Sequence, residues 1–303
     1  MKKSGDRKLG HLEMVAAMIM MGTVGIFVVE SGQTVQNAVF FRCAFGAFFL
    51  ALYCHARGFF RDANLSFEML ALVALSGVFL VSNWMLLFAS FSFASISIST
   101  VIYHTQPFFF VLISAAVFRE KISPTKLPLL LTAFTGVALV SLVDPGAMST
   151  ISPDQLRGAL FALAAAILWA VSAIIVKKIN GVRPHLIALI QVIVGILVLY
   201  PFVSPELAAI NATPAQWGCL ATLGAVHTCL TYILMYSSYK KLSTLAIAVL
   251  TFIYPAVAIV ADFMLYDFTL TALQWLGVFL ILVSSFAVGR NFLSVVRIFR
   301  GRG

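Results

Sequence analysis

Polar and aromatic side chains recur in the middle of long apolar stretches of this 303-residue sequence. Hydrogen-bonding groups are costly in an apolar environment unless they face a cavity or a protein partner, so these residues are the candidates for chemistry. They are Thr23, Asn83, Trp84, Tyr103, His104, Gln106, Trp169, Ser172, His227, Tyr232 and Tyr254. Aromatic faces with a few neutral polar groups suit an uncharged or zwitterionic solute with an apolar body. We therefore predict that they line a substrate cavity, and the alternative is packing between helices.

Two of these candidates, His104 and His227, could exchange protons near physiological pH. The alternative is that each imidazole makes a static hydrogen bond between helices. The sequence contains no HExxH pattern, no phosphate-binding GxxxxGK[ST] loop and no TVGYG-like filter, and its four cysteines are not paired at metal-ligand spacing. We therefore expect no metal and no cofactor, and transport by the protein would be driven by a gradient and not by ATP.

A second group of residues could gate a pathway. Arg42 lies inside an apolar run, and an ion pair with Glu30 or Asp262 would offset the desolvation of both partners. We predict a structural or gating pair, and the alternative is that Arg42 binds a substrate carboxylate directly. Pro107 and Pro255 each free a backbone carbonyl at matching depth, so they predict two related kinks; the alternative is that the kinks only improve packing.

Composition indicates the elements that position these residues. Hydrophobic residues make up 61% of the chain, charged residues make up 10%, and the mean hydropathy is +1.03. Apolar runs of about 20 residues match the hydrocarbon core of a bilayer and must form helices there. The first run is too long for a signal peptide, so we expect it to stay. The ten predicted spans cover 10–30, 36–56, 69–90, 95–118, 126–143, 156–176, 184–203, 215–237, 244–265 and 270–289.

The positive charges test this count, because cytoplasmic loops carry an excess of Lys and Arg. With the N-terminus inside, 18 of the 20 basic residues fall in inner segments; the exceptions are Arg157, in an outer loop, and Arg42. The net charge of +9 is therefore explained by membrane topology and does not indicate nucleic-acid binding. The pattern predicts a multi-pass membrane protein with both termini in the cytoplasm.

The sequence also repeats itself weakly at an offset of 148 residues. This offset places Asn83-Trp84 on Thr231-Tyr232 and Pro107 on Pro255. We assign spans 1–5 to residues 1–145 and spans 6–10 to residues 146–303. Because five is odd, the second unit must be upside down relative to the first. The predicted fold is an all-α integral membrane protein of ten transmembrane helices, built as two inverted five-helix repeats around a central cavity, as in many secondary transporters.

Several segments carry a resemblance to a known family. They are FFRCAFG in the second span, LLFASFSFAS at the end of the third, the fourth-span proline followed by FREKIS, and LWAVSAIIVKK and FIYPAVAIV in the second half. With them, nearly the whole chain resembles the drug/metabolite transporter superfamily, in particular its EamA-type members with ten helices and both termini inside. The first span departs from the family pattern, since MMGTVG stands where a tryptophan-glycine pair is common.

These observations predict a secondary transporter that exports amino acids or related amphipathic metabolites by alternating access. Drug efflux or metabolite uptake on the same fold is the nearest alternative. An intramembrane enzyme that uses His104 or His227 as a base, and a membrane sensor or scaffold, are the others. The expected partners are a small-molecule substrate and the lipid bilayer, without nucleic acid. We expect a monomer that is not an enzyme, and leave an oligomer open.

Overall fold

The computed structural model describes residues 2–61, 65–94, 96–120, 124, 127–141, 153–203, 212–265 and 271–289. Within these residues every regular element is a helix. A 3-10 turn follows α9 at Tyr200–Phe202, and a π-helical turn at Ala225–Leu230 joins α10 to α11. The α-helices are α1 (Lys2–Gly22), α2 (Val24–Glu30), α3 (Val35–Ala56), α4 (Phe67–Phe91), α5 (Ile96–Tyr103), α6 (Gln106–Phe118), α7 (Leu127–Ser141), α8 (Pro153–Lys178), α9 (Pro184–Leu199), α10 (Pro214–Gly224), α11 (Thr231–Tyr239), α12 (Thr244–Thr251), α13 (Ile253–Leu265) and α14 (Ala272–Gly289).

These helices lie in all ten predicted segments. In the described residues, eight helical segments are long and apolar enough to cross a membrane. The fifth and tenth are shorter apolar helices, Leu127–Val140 and Ala272–Val288, for which a crossing stays a prediction. The domain boundary predicted at residue 145 lies outside the described residues and also stays a prediction.

Large apolar side chains cover the outside of the helical bundle. Phe48, Leu197, Phe279 and Phe286 are each more than 60% exposed although they lie in the middle of helices. An apolar surface of this kind would aggregate in water and is stable in contact with lipid. The bundle therefore has the surface of a membrane protein.

Hydroxyl side chains fix where several helices begin. Thr34, Ser66, Thr213 and Ser243 each accept a hydrogen bond from the backbone amide three residues later. Such N-caps satisfy an amide that the helix itself leaves open. They fix the residue at which each of these helices begins.

Three of the predicted spans are interrupted at mid-depth. The fourth is interrupted between α5 and α6, just before Pro107, and the ninth between α12 and α13, just before Pro255. These two breaks agree with the predicted kinks. The first span is also broken, at Thr23, which the sequence did not predict. A Cβ on Gly22 would lie 2.7 Å from the Tyr254 carbonyl oxygen, so α1 approaches α13 too closely for any larger residue.

Helices at equivalent positions in the two halves pack against one another and run in opposite directions. In the pair α3 and α9, Cys43 lies against Gly195, while Tyr53 stacks on His185 at the other end. In the pair α7 and α14, Gly136 lies against Ile281, and the Val140 carbonyl accepts a hydrogen bond from Gln274. Chain order rises along one helix as it falls along the other, so both pairs are antiparallel.

Candidate functional site

Arg42 is the centre of a group of side chains called here the arginine cluster: Arg42, Trp84, His227, Thr228 and Tyr232. Arg42 is 6% exposed. Its Nε donates to the Thr228 hydroxyl at 2.8 Å, and its Nη2 donates to the His227 carbonyl at 3.0 Å. The guanidinium also lies over two rings, 5.2 Å from the centroid of Trp84 and 5.9 Å from that of Tyr232. Hydrogen bonds and aromatic faces thus hold the buried cation in one orientation.

Two glycines allow the helices that carry the arginine cluster to meet. A Cβ on Gly46 would lie 2.7 Å from Cγ2 of Thr228, and a Cβ on Gly224 would lie 2.7 Å from the amide nitrogen of Gly46. The close approach of α3 to α10 and the π turn brings Arg42 within hydrogen-bond distance of Thr228. In the turn itself, Thr228 and Thr231 donate to the carbonyls five residues earlier, which fits the wider π-helical geometry.

His227 connects the arginine cluster to the break in the first span. Its Nε2 shares a hydrogen bond of 3.0 Å with the Thr23 hydroxyl, and its Nδ1 shares one of 3.3 Å with the Thr222 carbonyl. The Phe27 ring packs on the imidazole, with centroids 4.7 Å apart. Thr23, Trp84, His227 and Tyr232 were all candidates from the sequence, and the structure brings them together.

A second group, the mid-depth cluster, consists of Asn83, Tyr103, His104, Gln106 and Tyr254. The amide of Asn83 and the hydroxyl of Tyr103 bond each other, at 3.1 and 3.2 Å. The same amide donates to the Ala165 carbonyl on α8 at 3.3 Å. Asn83 therefore holds the third, fourth and sixth spans together.

The interrupted fourth span contributes the rest of the mid-depth cluster. The His104 ring stacks on Tyr254 with centroids 5.1 Å apart, and its Nδ1 shares a hydrogen bond of 2.6 Å with the Thr100 carbonyl. His104 is 3% exposed and Gln106 is 1% exposed. Among the described residues, Nε2 of His104 and Oε1 of Gln106 have no hydrogen-bond partner. Buried polar atoms without a partner are rare in proteins and need a physical explanation.

The two candidates on α8 have a structural role in the contacts described. Ser172 donates to the Ser76 carbonyl at 2.8 Å, and the Trp169 ring packs on Phe110. The hydroxyl of Ser76 accepts from Gln191, which in turn accepts from Tyr236. This chain of hydrogen bonds joins the third, sixth, seventh and eighth spans.

Of the remaining predicted gating residues, Pro107 and Pro255 directly follow Gln106 and Tyr254 of the mid-depth cluster. Glu30 ends α2 and is exposed, whereas Arg42 is buried. The side chain of Asp262 lies outside the described part of the chain. The ion pair of Arg42 with Glu30 or Asp262 therefore stays a prediction, as do the gating roles of Pro107 and Pro255.

A cleft of about 160 Å³ borders the arginine cluster. Trp84 forms part of its wall and holds the guanidinium of Arg42 on its ring. The outer cleft, as it is called below, is lined by Gln36, Val39, Trp84, Met85, Phe88, Ala89, Ser92, Leu199 and Phe202. Its wall is mostly apolar and aromatic with a few amide and hydroxyl groups, a composition that suits an amphipathic solute.

Sequence reasoning did not single out Thr228, Gln191 or Ser76 as site residues. Each is 1% exposed or less and bonds a side chain or backbone from another span. A small hydroxyl in an apolar run is common, so its type alone gave no signal. With one extra residue in the second half, the repeat aligns Gln191 with Arg42, and this alignment was the signal available for Gln191. Within the described residues, no group of three or more His, Cys, Asp or Glu side chains could hold a metal ion.

Comparison with known proteins agrees with this architecture. The EamA-like transporter family matches the chain twice, at residues 8–142 and 156–290. The chain belongs to the EamA-like transporter family. The second match starts and ends 148 residues after the first, which confirms the repeat and its predicted offset.

One relative of this EamA-like transporter and one solved structure extend the comparison. An uncharacterized transporter, YxxF, of Bacillus subtilis (strain 168) is 30% identical over 280 residues, which cover 92% of this chain and 88% of the relative. A solved protein crystal structure has a TM-score of 0.81 at 15% identity and covers 95% of this chain and 98% of its own, so it shares the fold. The family and the apolar helices identify a multi-pass membrane transporter.

Proposed function

We propose that this EamA-like transporter is a secondary transporter of the bacterial inner membrane that exports amino acids or related amphipathic metabolites. Its substrate would pass through the mid-depth cluster and the outer cleft. Both termini would lie in the cytoplasm, and ten helices would form two inverted repeats that expose the substrate alternately to each side. Lipid is the surrounding partner, and no cofactor takes part.

The unpartnered atoms of the mid-depth cluster carry this proposal. His104 Nε2 and Gln106 Oε1 are buried at the break in the fourth span, where lipid offers no hydrogen bond. Nδ1 of His104 donates to the Thr100 carbonyl, so Nε2 and the Gln106 Oε1 are both acceptors. The ammonium of an amphipathic solute supplies donors for such atoms. The stacked rings of His104 and Tyr254 offer an apolar face for its side chain.

The arginine cluster is evidence for a substrate that carries a carboxylate and has a low net charge. Arg42 is the buried cation next to the outer cleft, and its described partners are a hydroxyl, a carbonyl and two rings. None of these described partners carries a negative charge. A zwitterion can approach this charge with its carboxylate, whereas a lipophilic cation is repelled.

The antiparallel pairs α3 with α9 and α7 with α14 support the inverted arrangement. Each pair consists of a helix and its equivalent 148 or 149 residues later in the sequence. An axis that exchanges such helices and reverses their direction lies in the plane of the membrane. Alternating access uses this symmetry, because the two repeats can exchange conformations.

Flux through purified protein in proteoliposomes tests the proposal. We expect labelled neutral amino acids to leave loaded vesicles faster than from empty liposomes, and His104→Ala and Trp169→Ala to abolish this difference without loss of folded protein. Leu197→Ala is the matched control, because Leu197 is 70% exposed to lipid. If lipophilic cations are transported and amino acids are not, the protein is a drug exporter and the proposed substrate class is wrong. Wild-type flux in both variants would remove these residues from the pathway.

A further inference from the structure

Charged side chains join the two halves of the bundle at its inner side, the side on which α1 begins. The first junction links α1 to the connection between α11 and α12. Glu13 forms an ion pair with Lys241 and accepts a hydrogen bond of 3.1 Å from Ser237. Lys241 also donates to Ser237 at 2.8 Å. A Cβ on Gly10 would lie 2.8 Å from Cβ of Lys241, so the backbones themselves are in close contact there.

The second junction links the ends of α6 and α8 to the start of α12. Glu120 forms an ion pair of 3.0 Å with Lys177 and accepts a hydrogen bond of 2.6 Å from Thr244. Thr244 also shares a hydrogen bond of 2.7 Å with Ser114. The Lys177 ammonium lies 5.1 Å from the ring centroid of Phe118. Both junctions therefore connect a residue of the first repeat to residues of the second.

Hydrogen bonding keeps the Glu120 carboxyl ionised. Burial raises its pKa, but the hydrogen bonds from Thr244 and Lys177 and the charge of Lys177 outweigh this effect, so the pKa lies below its ordinary value. The pair is therefore charged at neutral pH. Ion pairs of this partly exposed kind contribute little net free energy, because water replaces each partner when they separate.

The equivalent contact on the opposite side of the bundle is aromatic, and the Arg157 guanidinium lies over it, 4.4 Å from the ring centroid of Phe93. The repeat offset maps Glu13 to Phe161 and Lys241 to Phe93. These two rings are also in contact, with centroids 5.7 Å apart. The same pair of positions is thus charged on the inner side and aromatic on the outer side.

The space behind these contacts differs between the two sides as well. The outer cleft exposes one side of Trp84 and Phe88, which are half-buried. Their equivalents toward the inner side are Tyr232 and Tyr236, which are 4% and 3% exposed. Among the described residues, a cleft thus opens on the outer side, while the equivalent side chains toward the inner side, where the ion pairs lie, are buried.

We propose that the pairs Glu13–Lys241 and Glu120–Lys177 form the inner gate of the transporter and hold it in the outward-open conformation. The proposal rests on the proposed function insofar as a gate presupposes alternating access. Separable ion pairs suit a gate, because opening exposes charges that water solvates, whereas an apolar seam would have to expose hydrocarbon. Loss of both pairs shifts the equilibrium toward inward-open molecules.

Cysteine accessibility tests the gate without any substrate. Ala248 is fully buried and lies one helical turn after Thr244, on the same face of α12. In a variant whose four native cysteines are replaced by alanine, Ala248→Cys reports inner opening through its reaction with a membrane-impermeant maleimide in inside-out vesicles. We expect Glu13→Gln with Glu120→Gln to raise this rate about tenfold, the change that about 1.4 kcal/mol produces.

Two controls make the outcome decisive. Glu68→Gln removes an exposed carboxylate from the inner end of α4 and should leave the rate unchanged. Ala89→Cys lies in the outer cleft and should react more slowly from the outer side when the gate is weakened. If the double glutamine variant does not fold, Glu120→Gln alone is measured, with a smaller expected rise.

Equal Ala248→Cys rates in the gate variants and in Glu68→Gln would overturn the gate. This result does not depend on flux, so it is separable from failure of the proposed function. If amino-acid flux is observed but the gate variants label Ala248→Cys at the unchanged rate, the gate proposal alone is refuted. If no amino-acid flux is observed but the gate variants label Ala248→Cys faster, the substrate assignment is refuted and the gate proposal stands.

Discussion

The contact between Gly46 and Thr228 permits a quantitative test of the packing that orients Arg42. A Cβ on Gly46 would lie 2.7 Å from Cγ2 of Thr228 and 3.2 Å from its Cβ. Ordinary carbon contacts are about 3.5–4.0 Å, so α3 and the π turn would have to separate by about 1 Å. Overpacking of this size costs about 1–3 kcal/mol. We therefore expect Gly46→Ala to lower the melting temperature by about 3–10 °C.

Thr228→Ser removes the methyl group that causes the clash and keeps the hydroxyl that binds Arg42. Alone it should cost about 1 kcal/mol, as expected for one buried methyl group. Combined with Gly46→Ala it should restore stability, because the nearest remaining atom is 3.2 Å away. The double variant should then melt at least as high as Gly46→Ala alone.

The assay is thermal unfolding of detergent-purified protein, followed by tryptophan fluorescence, for both single variants and the double variant. Gly218→Ala serves as the control, because a Cβ there meets nothing within 4 Å and alanine favours the helix. The reasoning would be refuted if the decrease in melting temperature of the double variant equalled the sum of the decreases in the two single variants. It would mean that the two sites do not touch in the folded protein.

Three further outcomes are expected. Asn83→Leu and Tyr103→Phe should each lower the free energy of unfolding by about 1–3 kcal/mol. Because the Asn83 and Tyr103 side chains bond each other, the double variant should lose clearly less than the sum, which a double-mutant cycle measures. The ion pair of Glu120 with Lys177 should persist from pH 8 to pH 5 and be lost only as the pH falls through the lowered pKa of the Glu120 carboxyl. The rate of Ala248→Cys labelling, compared with that of the Glu120→Gln variant at each pH, measures this loss. Burial and the charge of Lys177 lower the pKa of Lys240 to about 8. Between about pH 8 and pH 10 the folded state therefore binds fewer protons than the unfolded state, so the free energy of unfolding rises with pH. Melting curves at pH 8 and pH 10 should show that wild type gains stability relative to Lys240→Met.

The sequence predicted the helices well, because a hydrophobic run of membrane length has few alternative structures. The observed α4, Phe67–Phe91, extends the predicted 69–90 by only a few residues. Pro107 and Pro255 marked two of the three breaks, since proline cannot donate the helical hydrogen bond. The break at Thr23 has no proline, and depends on the approach of α13 to Gly22, a contact that the sequence does not show.

The candidate site was predicted less completely, because its partners come from distant segments. Arg42 was expected to seek a carboxylate, yet its described partners are the Thr228 hydroxyl, the His227 carbonyl and two rings. A neutral cage satisfies a guanidinium through hydrogen bonds and ring faces, and such a cage cannot be inferred from charge counting. The π turn that places Thr228 there also has no sequence signal, because its residues suit an ordinary α-helix.

Two sets of contacts between the repeats differ in what their separation would cost. The seam between α7 and α14 is packed backbone to backbone: a Cβ on Gly136 would lie 2.7 Å from the Gly277 carbonyl oxygen, and one on Gly277 would lie 2.6 Å from that of Gly136. Within lipid, such close packing is the main force that holds helices together, so this seam resists separation. The ion pairs of Glu13 and Glu120 border water and separate at low cost. In the proposed gate, opening of the inner side would break the charged contacts and would leave the glycine seam between α7 and α14 intact.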